Sequence, residues 1–156
     1  MKRKELLVAA IENGTVIDHI PSSKLFDVVN LLHLEKMKTA VTVGFNLKSN
    51  STDQHHKSII KVADKFFTNE ELNQLSVVAP NVTLCLIRDY DVVEKRKVVM
   101  PDLLEGIVRC PNSKCITNNE PMKTRFRVSN RELGILQCCY CNKDLPLGEV
   151  KIVEQQ

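Results

Sequence analysis

The 156-residue sequence contains no tryptophan, and its aromatic residues amount to 4%. A core must therefore be built from aliphatic side chains, which the 43% hydrophobic content can supply. No charge sign dominates: 22 Lys+Arg against 19 Asp+Glu leave +3, so no strong overall field favours a polyanion. Long apolar runs are missing as well. "LLVAAI" near the basic start "MKRKE" has no small-residue cleavage pattern after it, which argues against a signal peptide. Nothing approaches the ~20 apolar residues of a membrane helix. The expected location is the cytoplasm, where thiols stay reduced and clustered cysteines more often hold metal than form disulfides. Neither a P-loop nor a G-x-G-x-x-G occurs, so the usual loop-and-helix phosphate cradle is lacking. There is no Ser/His/Asp or paired-carboxylate arrangement, and His55-His56, in a polar segment with Asp53, reads as solvent-exposed. No catalytic constellation emerges.

Secondary-structure signals organise the first hundred residues. "TVIDHI" (15–20) is a β-branched run bounded by the turn dipeptide Asn13-Gly14 and by Pro21. In "SSKLFDVVNLLHL", Leu25, Val28, Val29 and Leu32 recur at helical spacing, with Ser22 or Ser23 as N-cap. "VTVGFNL" (41–47) alternates as a half-buried strand with Val41, Val43, Phe45 and Leu47 on one face. A strand starting near Lys57 follows. Thr68 and Glu71 then form a capping-box signature ahead of a helix that must end before Pro80. "NVTLCLI" and "YDVVEKRKVV" complete the set as strands. The fold class is α+β: a ferredoxin-like βαββαβ unit with one extra strand, its helices on one face of an antiparallel sheet.

The text changes near residue 100, dividing the chain into domains at 1–100 and 101–156. "PDLLEGIV" reads as a short helix; beyond it come short polar runs and five of the six cysteines. A segment this small buries little apolar area and calls for a staple. Cys110 and Cys115 are separated by four residues, Cys138 and Cys141 by two, and the pairs by 22. Four such thiolates match a closed, small, all-β zinc-ribbon-like site with no open position for a substrate, hence structural zinc, one Zn2+ per chain. Coincidentally spaced buried thiols, disulfides, or an iron of rubredoxin type are the alternatives. Cys139, between two ligands, should project away. Residues 101–156 carry eight basic against seven acidic side chains. Lys123, Arg125 and Arg127 alternate along one strand with Phe126 opposite, and this short stripe suits a solvated or protein-docking face better than nucleic acid.

In the first domain Asp18 and His19 end a strand, Lys57 and Lys61 share a face four residues apart, and Lys95 lies in the last strand. These groups either hold an anion on the sheet or are solvated strand residues; the residues alone leave both readings open.

"GTVIDHIP", "VTVGFNL", "KSIIKVAD", "VAPNVTLCLI", "YDVVEK", "CPNSKCI" and "CCYC", in this order over nearly the full length, closely resemble the regulatory chains of aspartate carbamoyltransferase. The resemblance implies a non-catalytic subunit of pyrimidine biosynthesis with an allosteric nucleotide domain followed by a zinc domain. Its implied partners are a second regulatory chain and the catalytic chain, in an assembly of two catalytic trimers with three regulatory dimers. Its implied effectors are CTP, alone or with UTP, as inhibitor and ATP as activator. By the same resemblance His19 and Lys95 face the triphosphate, and Asp18 and Lys61 meet ribose and base, with Lys57 also at the pocket. Val8, Ala10, Ile11, Val16, Ile59, Ile87, Tyr90 and Val92 form the wall, and the backbones of Ile11 and Tyr90 read the base edge. Ala9 and Cys85 depart from the family pattern, where an acidic residue and an Asn can occur. Asn112, Tyr140 and Asn142 fall at docking positions; Lys114 and Asn142 replace an amide and a carboxylate found in some members. A zinc-ribbon nucleic-acid-binding protein is the alternative outside this family.

Overall fold

The computed structural model describes residues 9–48 and 56–153. Val8, Asp53 and His55, named above, lie outside them. The first five strands are β1 (Gly14–Pro21), β2 (Val41–Lys48), β3 (His56–Ala63), β4 (Thr83–Arg88) and β5 (Asp91–Lys97). They form one antiparallel sheet in the order β2-β3-β1-β4-β5. Helices α1 (Leu25–Leu31) and α2 (Asn69–Asn73) supply the two crossovers. This is the ferredoxin-like arrangement with the fifth strand added at the β4 edge.

The alternation within the strands decides the two faces. Ile17, Ile60 and Leu84 lie side by side in register and are fully buried with Leu25, Val28 and Leu72 of the helices. Each such side chain contributes about 1.5–3 kcal/mol by leaving water. The other face carries Val16, Asp18, Lys61, Cys85 and Lys95, and among the described residues no helix lies over it. Gly14 begins β1 at φ +141, and a Cβ there would lie 2.1 Å from the Val62 carbonyl oxygen, so glycine is required.

Thr68 caps α2 as expected: its side chain accepts from Glu71 N and the Glu71 carboxylate accepts from Thr68 N. The serine cap of α1 is not formed. Ser22 opens a 3-10 turn (Ser22–Lys24), and its hydroxyl meets the Ser58 hydroxyl at 3.0 Å, where it serves β3 instead. In β2, Val41 and Val43 do face the helix side, paired with Val62 and Ile60. Yet Val43 and Phe45 are exposed, because the seven-residue α1 does not extend over this edge strand. Phe26 of α1 joins them, its ring 6.2 Å from that of Phe45.

The second sheet contains β6 (Leu103–Glu105), β7 (Arg125–Asn130), β8 (Ile135–Cys138) and β9 (Asp144–Pro146) in sequential order. The helix expected in "PDLLEGIV" is β6 instead. Leu104 is buried opposite Phe126 while Leu103 and Glu105 point outward, and Gly106 at φ +70 ends the segment. The chain returns along itself at the end, with Val108 bridged to Ile152 and Arg109 N donating to the Lys151 carbonyl. No described helix is long and apolar enough to cross a membrane.

Candidate metal centre and anion-binding face

Two loops deliver the thiols. Cys110 and Cys115 bracket a turn in which Cys115 N donates to the Asn112 carbonyl and Lys114 N to the Asn112 side chain. The short helix α3 (Ile116–Asn119) leaves this turn. Asn118 donates from its amide to the carbonyls of Cys110 and Asn112, locking the loop closed. Cys138 ends β8, and Asn142, at φ +62, donates its N–H to the Cys138 carbonyl, folding Cys141 back beside it.

The four sulfurs of Cys110, Cys115, Cys138 and Cys141 all lie within 4.8 Å of one another. Cys110 and Cys141 are 3.5 Å apart and Cys115 and Cys138 3.8 Å apart, with no disulfide. A tetrahedral zinc with bonds of about 2.3 Å has sulfur–sulfur edges of about 3.8 Å, so the set fits the ion. Burial raises the Cys110 and Cys138 thiols above their ordinary range, with neighbouring thiols adding to it. Cys141 behaves oppositely. Burial pushes it up, but hydrogen bonds from the Lys143 backbone and the Asn112 side chain outweigh this and bring it to about 7. Metal binding must release the remaining thiol protons. Thr117, itself buried, places its hydroxyl 3.2 Å from the Cys115 sulfur. Sequence reasoning passed over both Thr117 and Asn118; the polar run "ITNN" directly after Cys115 was their only signal. Cys139 stands outside the cluster, as expected, and its N–H donates to the Arg125 carbonyl.

Lys123, Arg125 and Arg127 of the basic stripe are all exposed, and the two arginines find partners on the same surface. Arg125 sits 3.7 Å from Glu105, and Arg127 donates to Gln137 and to Asn142. Phe126 is fully buried on the opposite face. Tyr140 projects half exposed from the knuckle.

On the open face of the first sheet, register brings distant residues into rows. Thr42, Lys61, Val16, Cys85 and Lys95 are successive neighbours across five strands. In the adjacent row Asp18 is flanked by Thr83 and then Lys97, whose ammonium donates to the Thr83 hydroxyl and the Asn81 carbonyl. Lys97 belongs to this face although sequence reasoning did not single it out; the period of two from Lys95 signalled it. Asp18 accepts from Lys57 at 3.1 Å and from His19 N at 2.7 Å. His19 occupies a β-bulge at φ 60, so the bulge interrupts the pairing of β1 with β3 beside Asp18. Lys61 donates to the Ala9 carbonyl at 2.9 Å, which ties the backbone of residue 9 to the sheet. Ile59 is half-buried on this face, opposite Gly44; Ile87 is paired with Val92.

Tyr90 lies outside β5, in the two-residue turn Asp89-Tyr90 between β4 and β5. Both turn residues have positive φ, the hairpin geometry whose twist matches the strands. Its N–H donates to the Glu12 carbonyl, which sets the turn beside Ile11 and the start of β1. Asp18 thus meets Lys57 and His19 directly, with Lys61 in the adjacent row and Lys95 two strands away on the same face. Burial lowers the Lys61 ammonium from its ordinary value, with Asp18 pulling it back up. Burial raises the Cys85 thiol, an effect that Lys95 offsets in part.

Residues 6–99 match the family model described as aspartate carbamoyltransferase regulatory chain, allosteric domain; residues 102–151 match that of the metal binding domain of the same chain. Curated relatives carry the name aspartate carbamoyltransferase regulatory chain. One from Bacteroides thetaiotaomicron is 57% identical over 151 residues, covering 97% of each chain. One from Porphyromonas gingivalis is 53% identical over 153 residues, covering 98% of this chain and 100% of the relative. One from Pyrococcus abyssi is 45% identical over 148 residues, covering 94% and 96%.

Proposed function

Because the chain belongs to the family of aspartate carbamoyltransferase regulatory chains, we propose that its open sheet face binds nucleoside triphosphates and that its metal domain relays their effect to a catalytic chain. The chain is itself a non-catalytic subunit with a catalytic-chain partner, and its second domain binds metal. The observation that carries the nucleotide reading is the gathering of His19 and Lys57 at Asp18, with Lys61 and Lys95 in the neighbouring row, on a sheet face that no described helix covers. A triphosphate would meet His19 and Lys95, with charge-assisted contacts of the right sign and reach. Asp18 and Lys61 would hold ribose and base against Val16, Ile59, Ile87 and Val92, with Ile11 and Tyr90 at the base edge. CTP, alone or with UTP, would inhibit and ATP activate. Such ligands shift the enzyme only through different affinities for its low- and high-activity states.

In this reading the exposed Phe26, Val43 and Phe45 support pairing of two regulatory chains through the first domain. Three such dimers would join two catalytic trimers in the cytoplasm. Asn112, Tyr140 and Asn142, grouped around the thiol cluster, would form the docking face; zinc would hold their two loops together. The test mixes the purified chain with its cognate catalytic trimer and measures size and rate with each nucleotide. A larger assembly whose rate responds to CTP or ATP is the expected result. A chain that neither enlarges the trimer nor alters its rate would overturn the reading.

A further inference from the structure

The strand that presents Lys95 runs directly into the segment joining the two sheets, and that segment is held from both sides. From the first domain, Asn73 at the end of α2 accepts the Val99 N–H with its side chain at 3.1 Å. Ser76, buried in the following 3-10 turn, lies 2.6 Å from the Asn73 carbonyl and 3.3 Å from the Met100 sulfur. From the second domain, Arg131 donates one guanidinium nitrogen to the Met100 carbonyl at 2.8 Å and the other to the Asp102 carboxylate. Val128 N donates to the Asp102 carbonyl. The two acceptors of Arg131 therefore straddle Pro101, whose ring already fixes φ.

This arrangement is more than a surface ion pair. An exposed Arg–Asp pair alone contributes little, and Asp102 is 96% exposed. Here one planar fork joins the β7–β8 turn to a backbone carbonyl whose own side chain is seated on the first domain. A Lys could supply the charge but not both directed donors. The strand that carries Lys95 is thus continuous with Met100, and Met100 is bonded to the β7–β8 turn of the metal domain.

We propose that Arg131 is a positioning residue that, with Asn73 and Ser76, clamps residues 99–102 so that the two domains turn as a unit, and that this clamp transmits nucleotide binding to the metal domain. The inference rests on the nucleotide reading above for its regulatory half, while the clamp itself can be measured without it.

The experiment compares Arg131→Gln, Arg131→Lys and Asn73→Ala in the reconstituted assembly and in the regulatory chain. Hydrogen exchange of residues 98–103 reads the clamp; zinc content, calorimetric affinity for ATP and CTP, and the nucleotide effect on rate read the rest. Arg131→Gln and Asn73→Ala should exchange at least about tenfold faster at 98–103, because each removes a hydrogen bond that opposes local opening of this segment. Zinc content and nucleotide affinity should stay within about twofold of the parent. The nucleotide effect on rate, for which couplings are typically about 5–150-fold, should shrink towards none in Arg131→Gln and be partly restored in Arg131→Lys. Unchanged exchange, or faster exchange with an undiminished nucleotide effect, would overturn the proposal. A parent assembly that ignores nucleotides would instead refute the nucleotide reading and with it the regulatory half, leaving the exchange data to judge the clamp.

Discussion

Among the described residues, the five-stranded sheet and its helices bury Ile17, Ile20, Leu25, Val28, Ile60, Leu72, Leu75 and Leu84, a continuous aliphatic layer. The four-stranded sheet has Leu104, Phe126, Leu136 and Leu145, and its remaining interior includes the ligand thiols Cys110, Cys115 and Cys138. The first domain closes its core with apolar area and, among the described residues, leaves a charged sheet face without a helix over it. The second uses much of its interior to make a metal site, and what it presents outward is shaped by that site. The difference teaches where each domain is vulnerable: the first through packing, the second through its ion.

Metal removal should separate the two most sharply. Apparent binding energies of structural zinc reach about 10–16 kcal/mol. Stripping the ion with a mercurial and chelator should therefore unfold the 103–153 region and release the catalytic chain. The first domain should keep its exchange protection and its nucleotide affinity. Assemblies that stay intact after complete metal removal would end this view of the second domain. Next in size, Phe126→Ala should cost about 3–5 kcal/mol, read as a lowered unfolding midpoint of the second domain with that of the first unmoved. A matching loss in the first domain would show that the cores are not independent.

Lys95→Ala tests the other side of the comparison. Loss of a charge-assisted contact, about 1.5–3 kcal/mol, should weaken triphosphate binding roughly tenfold or more in calorimetry without changing zinc content. Unaltered affinity would refute the assignment. Thr68→Ala removes the observed capping box and should destabilise the first domain by about 1 kcal/mol in denaturant melts. The smallest effect concerns pH. Burial holds the Lys61 pKa below its ordinary value, and a bound polyanion raises it, so binding at alkaline pH takes up protons. Triphosphate affinity should then fall as pH rises through the Lys61 range. Calorimetry in buffers of different ionisation enthalpy would detect the uptake, and a Lys61→Met variant should lose it.

Much of the fold was legible because its signals are local. Asn13-Gly14, Pro21, Pro80 and the Thr68–Glu71 pair punctuate the chain where the elements begin and end. Where local signals competed with tertiary partners, the partners prevailed. Leu103–Glu105 became a strand because Phe126 offered a partner for Leu104. Ser22 gave up a helix cap for a hydroxyl partner on β3. The alternation of β2 holds for Val41 and Val43, but a bulge at Asn46 (φ 59) shifts the register and pairs Leu47 with Lys57, on the face opposite to the one its spacing predicts.

By itself the sequence determined the thiol set, since ligand spacing and the exclusion of adjacent Cys139 follow from the reach of a tight turn. It also determined which strand residues share a face, because that period is built into the extended backbone. Only the tertiary structure decided which of those residues meet. Asp18 and Lys57, or Val16, Cys85 and Lys95, become neighbours through sheet order and register. Arg131 reaches Met100 and Asp102 only because the β7–β8 turn folds back over the segment between the sheets. Such long-range pairings are set by the packing of two cores, which no local run of residues encodes.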